Sequence, residues 1–242
     1  MNEAETRAEL IDPALKDAGW GVVEGSRVHR EYAITQGRLE GQGRRRAADK
    51  ADYVLVYRNT KLAVIEAKAR DAPVTEGVGQ AKSYAKKLAI RFTYATNGLG
   101  IYGIDMTSGR EGNVASYPTP DELWKRTYAK QNEWRDRFAA IPYEDKSGAW
   151  APRYYQDIAV SRVLEAVAAK KKRVLLTLAT GTGKTAIAFQ IAWKLFHSRW
   201  SLSKEGSRMP RILFLADRNI LIDQTMVNDF RPFKGAMAKL SP

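Results

Sequence analysis

Residues 52–70 read DYVLVYRNTKLAVIEAKAR. Two β-rich runs flank a short polar turn, the pattern of a hairpin, yet the second run carries Glu66 and Lys68 where a core-facing strand carries hydrophobics. Side chains alternate along a strand, so these two project from one face, roughly 7 Å apart. LAVIEA is apolar on both faces, as in a strand buried between layers, which puts the charges at its exposed end. Asp52 opens the partner strand and shares their face only when an odd number of residues separates the innermost pair. A loop over 59–61 satisfies that condition and sets Asp52 opposite Lys68 and diagonal to Glu66. Two carboxylates and an ammonium then converge; the alternative is a solvated Glu66–Lys68 pair on an ordinary hairpin.

Converging carboxylates repel and lose hydration unless a cation compensates them. Mg²⁺ prefers oxygen ligands, which Asp52, Glu66 and the carbonyl of residue 67 supply, leaving positions for water and a phosphate oxygen. Such an ion lowers the pKa of its water and stabilises charge on phosphorus, while Lys68 orients the nucleophile or neutralises charge. The chemistry is phosphodiester hydrolysis. A helix over 75–89 follows, placing Gln80 and Tyr84 on one face at i, i+4. Strands at IRFTYAT and IYGIDM, joined by a turn at Asn97–Gly98, close the unit.

The series D-x₁₃-E-x-K followed by Q-x-x-x-Y resembles the PD-(D/E)xK nuclease core of the RecB-like branch. Ala51 stands where the nominal motif has proline. The resemblance implies Asp52 and Glu66 as metal ligands, Lys68 as the catalytic lysine, and Gln80 with Tyr84 as residues positioning the site and contacting DNA. It also suggests Glu9, on a first helix ending near Gly19, as a further metal ligand; a solvated helix carboxylate is the alternative there.

The chain has 242 residues and a net charge of +13, with 16 basic against 6 acidic residues after position 150. That balance favours a polyanion such as double-stranded DNA. Residues 37–51 form a Gly- and Arg-rich loop whose Arg44, Arg45 and Arg46 are candidate phosphate contacts. No cysteine is present, excluding disulfides and thiolate chemistry. The sequence lacks a signal peptide and any apolar run long enough for a bilayer, so a cytoplasmic protein without membrane contact is expected.

LATGTGKTAIAF at 178–189 lies between an expected strand (VLLTLA) and helix (184–196), the context of a phosphate-binding loop. Thr180, Gly181, Thr182 and Gly183 form the loop, Lys184 reaches the β and γ phosphates of ATP, and Thr185 binds Mg²⁺ at the helix N-terminus. Leu178 replaces the usual first Gly or Ala. Upstream, Arg153 and Gln156 of PRYYQDIAV resemble the adenine-reading Q-motif of superfamily 2 helicases. Downstream, ILFLADRNILIDQT resembles their motif Ia, with Arg218 and Gln224 near the DNA backbone. No D-E-x-[HD] element or second motor lobe follows, so the expectation is nucleotide binding without efficient ATP hydrolysis or translocation.

The expected fold is α/β. A PD-(D/E)xK endonuclease-like mixed sheet flanked by helices, with a helical connector, occupies 1–145, and an incomplete RecA-like parallel-sheet ATP-binding domain occupies 146–242. In order, the E-x-x-x-x-x-I-D-P-x-L-x-x-A-G-W opening, DYVLVY, IEAK, QAKSY, ATNG, RYYQ and ATGTGKT resemble the restriction (R) subunit of type I restriction–modification enzymes. The resemblance implies an ATP-dependent, Mg²⁺-dependent DNA endonuclease and translocase, partnered by modification and specificity subunits. The alternatives are a stand-alone helicase–nuclease of DNA repair and a catalytically inactive DNA-binding assembly module.

Overall fold

The 52–70 stretch lies in the middle of a six-stranded sheet of order β1-β2-β3-β4-β5-β6. The strands are β1 (Ser26–Ala33), β2 (Lys50–Tyr57), β3 (Thr60–Ala67), β4 (Phe92–Thr96), β5 (Ile101–Asp105) and β6 (Glu111–Val114). In this computed structural model the described residues are 1–34, 49–201, 208–216, 223 and 225–240. They divide into two units, Met1–Gln131 and Asn132–Pro242. Among the described residues no helix is long and apolar enough to cross a membrane.

Neighbouring strands pair antiparallel except β3 and β4, which are parallel and need a crossover. Helix α3 (Val78–Leu88) supplies it. Its buried Ala81, Tyr84, Ala85 and Leu88 recur at helical spacing. Val54, Leu55, Ala63, Val64, Ile65 and Ala95 have essentially no exposed surface, so the central strands are covered on both faces, as LAVIEA suggests.

The hairpin turn is shorter than the expected 59–61 loop. Tyr57 pairs with Thr60 across Arg58 and Asn59, both at positive φ (49° and 55°). This two-residue turn alone gives the wrong parity, placing Asp52 across from Ile65. A β-bulge corrects it: Val56 faces Lys61 but Leu55 faces Ala63, so Leu62 is an extra residue on β3. Continued past Tyr53↔Ile65, the shifted register sets Asp52 beside Glu66 rather than opposite Lys68.

The first helix is interrupted. It comprises α1 (Glu3–Thr6), a π turn (Arg7–Ile11) and α2 (Asp12–Asp17). Pro13 has no N–H for the carbonyl of Glu9, and the widened turn instead closes through Asp12 N–H to the Arg7 carbonyl. This helix packs on the turn after β4: a Cβ on Gly98, whose φ is +80°, would lie 2.7 Å from Leu10 Cδ1 and 2.9 Å from Thr6 Cγ2. Only glycine meets both the close approach and the left-handed backbone.

The connector divides between the units instead of packing wholly on the first. Helix α4 (Pro120–Thr127) belongs to the first unit, and α5 (Glu133–Ala140) to the second, so the division falls at 131/132, ahead of the expected 145/146. The reason is packing. Trp134 and Phe138 of α5 are buried with Val160 and Leu164 of α6 (Tyr154–Ala168) and Ile187 of α7 (Lys184–His197). Two polar residues of α7 hold the chain after α5. Gln190 bonds both the N–H and the carbonyl of Glu144, and Lys194 Nζ donates to the carbonyls of Phe138, at 3.3 Å, and Ile141.

The expected parallel sheet of the second unit is not found among the described residues. VLLTLA and RILFLA carry no strand pairing, and Leu175 (89% exposed) and Leu215 (79%) have no cover. Parallel strands need hydrogen-bonding neighbours and layers on both faces. In this unit α5, α6 and one side of α7 bury their apolar side chains together, and Phe189 and Ala192 of α7 pack instead with Phe230, Phe233 and the Phe214 side chain of RILFLA.

Asn97 joins β4 to the chain leaving β3. Its Nδ2 donates to the carbonyls of Arg70 (3.1 Å) and Ala72 (2.8 Å), and its Oδ1 accepts from Leu99 and Gly100 N–H (3.1 and 3.0 Å). Asn97→Ala leaves these backbone groups without that partner and is expected to cost about 2–4 kcal/mol, read as a lower urea midpoint for the first unit.

Candidate functional site

Glu66 is 3% exposed on β3, and its two oxygens differ. Oε1 accepts from Lys68 Nζ at 2.9 Å, whereas Oε2 is buried with no hydrogen-bond partner among the described residues. Gly77 closes over the carboxylate at the start of α3: a Cβ there would lie 3.0 Å from Glu66 Cγ and 3.4 Å from its Cβ. Burial pushes Glu66 up to about 7, aided by the charges of Asp52 and Glu3 and opposed by Lys68.

Asp52 is tied at both oxygens. Oδ2 accepts the Ala67 N–H at 2.7 Å, and Oδ1 accepts from an Arg7 guanidinium nitrogen at 3.2 Å. Burial raises its pKa, against the Ala67 hydrogen bond and the Arg7 charge. Lys68 bridges β3 to α3, with Nζ donating to Glu66 Oε1 and, at 3.0 Å, to Gln80 Oε1. Burial disfavours its charge, but the Glu66 hydrogen bond and the nearby carboxylates outweigh this and raise its pKa. Gln80 Nε2 then donates to the Tyr84 hydroxyl at 3.3 Å. The structure therefore joins Asp52, Glu66, Lys68, Gln80 and Tyr84 in one cluster.

Glu9 does not join it. That side chain is exposed in the π turn and makes none of the cluster's hydrogen bonds or ion pairs, because the turn directs Arg7 toward Asp52. The first-helix carboxylate whose charge acts on the site is Glu3. Arg7, Glu3 and Gly77 were missed from sequence. Only Gly77, beside a helix start after the E-x-K triplet, left any local signal.

No group of three or more acidic, histidine or cysteine side chains placed to hold a metal occurs among the described residues. A divalent cation nevertheless fits the pair. An unpartnered, buried carboxylate oxygen beside a second carboxylate is an anionic site awaiting positive charge, and oxygen donors suit Mg²⁺. Asp52 and Glu66 would hold it, with backbone and water completing the shell.

In the second unit Gly181 (φ 80°) and Gly183 (φ 78°) shape the loop preceding α7, with Lys184 and Thr185 in the first turn of the helix. Thr180 is exposed, while Thr182 Oγ1 and Lys184 Nζ both donate to the Ala179 carbonyl, at 2.7 and 3.0 Å. Gln156, expected to read adenine, uses its amide locally. Its Oε1 accepts from Arg153 N–H at 2.9 Å, and its Nε2 donates to the Thr182 carbonyl at 3.0 Å. A Cβ on Gly183 would lie 2.5 Å from that nitrogen, so Gln156 braces the loop directly. Arg153 caps α6 and donates to the Tyr155 hydroxyl at 2.9 Å. Arg44, Arg45, Arg46, Arg218 and Gln224 lie outside the described residues.

Residues 25–117 match the family model for the second domain of the type I restriction enzyme EcoKI endonuclease subunit. Residues 150–241 match that of the type III restriction enzyme res subunit. Across 254 residues and all of this chain, the type I restriction enzyme EcoAI endonuclease subunit of Escherichia coli is 38% identical. The chain belongs to the endonuclease (HsdR) subunit family of type I restriction enzymes. The EcoKI endonuclease subunit of E. coli K12 is 28% identical over 289 residues and 93% of the chain. A solved fragment described as an HsdR subunit of a type I restriction enzyme from Vibrio vulnificus YJ016 superposes with a TM-score of 0.83 at 41% identity, over 98% of this chain and 44% of that one. The chain spans 30% and 23% of the length of the two curated relatives.

The buried Glu66 sets a pH signature for this HsdR-family chain. Its pKa rises from 4.5 unfolded to about 7 folded, so the native state binds the proton more tightly. Its contribution to stability is complete below about pH 4.5 and lost as pH climbs through 7. In metal-free buffer Glu66→Gln should match wild type at pH 4.5 and be more stable at pH 8, by on the order of 2 kcal/mol. Thermal melts across that range provide the comparison; a constant difference would contradict the buried-charge account.

Proposed function

We propose that the first unit is a metal-dependent nuclease centre cutting double-stranded DNA, and that the second binds ATP, within an R subunit that works with modification and specificity subunits. The observation carrying the nuclease reading is Glu66, a carboxylate buried with one oxygen unpartnered beside Asp52. A salt-bridged structural hairpin has no use for that oxygen.

Asp52 and Glu66 would hold a divalent cation, which when bound would supply Lewis acidity toward a phosphate oxygen and a water of lowered pKa. The Ala67 N–H fixes the Asp52 carboxylate, limiting its swing. Lys68 remains an ammonium because carboxylates surround it. Two of its N–H bonds go to Glu66 and Gln80, leaving the third for a non-bridging phosphate oxygen or the leaving group. Gln80 orients Lys68, and the Tyr84 hydroxyl orients Gln80.

In the second unit the N–H groups of the first turn of α7 and the loop at 180–183 would receive the phosphates of ATP, for which Lys184 would give up the Ala179 carbonyl. Leaving that carbonyl costs one charge-assisted hydrogen bond, which the phosphate replaces.

Two measurements test these assignments. Lys68→Ala should keep Mn²⁺ binding but slow Mg²⁺-dependent nicking of supercoiled plasmid by a factor on the order of 10². Wild-type nicking by Lys68→Ala would sink the catalytic role. Lys184→Ala should abolish binding of a fluorescent ATP analogue while leaving Mn²⁺ binding at Asp52 and Glu66 unchanged, and joint loss of both would refute independent sites.

A further inference from the structure

Arg7 is an additional cation of the nuclease centre. Its guanidinium donates to Asp52 Oδ1 at 3.2 Å and also to the Glu31 carboxylate. Glu31 is placed by register: Arg30 pairs with Tyr53 and Tyr32 with Ala51, so Glu31 stands across from Asp52 on β1. Its backbone leaves the strand conformation there, with φ at 52°, an uncommon and costly geometry for a residue with a Cβ. Since Asp52 in turn stands beside Glu66, three adjacent strands present Glu31, Asp52 and Glu66 in one row, at strand spacings of about 4.8 Å. Arg7 spans the first gap, and Lys68 holds the far end.

Arg7 owes its place to the π turn, which begins at this residue and whose widened bond is accepted by its own carbonyl. Such turns recur at functional sites. A simpler role for the guanidinium, neutralising two carboxylates set opposite each other on neighbouring strands, rests on the same contacts. The two roles differ in what happens when a divalent cation arrives. Asp52 Oδ2 is committed to the Ala67 N–H, and Oδ1 is the oxygen Arg7 holds, so metal and guanidinium meet at one carboxylate.

We propose that Arg7 is a positioning residue that holds Asp52 beside Glu66 before metal binds and contests Asp52 with the incoming divalent cation, retreating onto Glu31 as the ion is taken up. This rests on the metal-site reading above. Half-exposed Glu31 then serves as the counter-ion that receives Arg7, which accounts for a carboxylate held in a strained conformation at that register.

The test is calorimetric titration of the 242-residue chain with Mn²⁺ alone at pH 8 and low ionic strength, with circular dichroism verifying the fold of each variant. Arg7→Ala removes a like charge adjoining the ion and should tighten Mn²⁺ binding on the order of tenfold. Arg7→Lys keeps the charge and should stay within about twofold of wild type. Glu31→Gln deprives Arg7 of its retreat and should weaken binding, an effect that shrinks in the Arg7→Ala background. Unchanged or weaker binding by folded Arg7→Ala overturns the proposal, as a purely structural ion pair predicts. If Arg7→Ala loses its fold, Arg7→Gln is read by the same criterion. Asp52→Asn separates the two readings: Mn²⁺ binding that persists undiminished in this variant defeats the metal site itself, and the proposal with it.

Discussion

The first unit depends on a constraint of parity. A two-residue turn at Arg58–Asn59 suits the twist of the hairpin but would put Asp52 on the face of Ile65. One additional residue, Leu62, moves every pairing beyond it by one and brings Asp52 beside Glu66. From this follow the Ala67 hydrogen bond to Asp52, the Asp52 charge that adds to burial in raising Glu66, and the approach of Arg7 from the first helix. The charges in an otherwise apolar strand are thus a paired arrangement fixed by backbone geometry.

Burial gives the cluster its chemical character. Glu66 lies where the parallel β3–β4 pair and the start of α3 exclude water, and Gly77 permits the helix to approach without displacing the carboxylate. A neutral side chain there would be more comfortable for the fold. The sequence keeps an anion, surrounds it with Lys68, Arg7 and a second carboxylate, and leaves one oxygen without a protein partner. Stability is given up locally for a site that gains most when positive charge is added.

The β2–β3–α3–β4 core was legible because local chemistry and periodicity coincide there: apolar runs, a polar turn, E-x-K, then Q-x-x-x-Y on a helix. Strand β1 was not, because SRVHREYA is an edge strand whose charged side chains protect its open edge and mask the alternation. Short β6, with GlyAsn in its middle, hid for a similar reason. Arg7 reaches Asp52 from 45 residues away, a contact that no local pattern encodes. The bulge at Leu62 was equally invisible, since a leucine in an apolar strand looks like any other core residue. In the second unit the phosphate-loop motif identified the residues around α7, but strand propensity in VLLTLA and RILFLA did not produce pairing among the described residues, because propensity cannot supply a neighbouring strand.

The lysine clasp of the second unit gives the protein a chemical asymmetry. Burial holds Lys194 down to about 8 from 10.5, so the unfolded chain binds that proton more tightly and this unit gains stability as pH rises between those values. Glu66 acts oppositely in the other unit, and its window closes near neutrality. Acid and alkali therefore address different halves of the molecule. Near pH 7.5, about half a unit from either value, both groups are titrating, so a small step in pH there moves the stabilities of the two units in opposite directions.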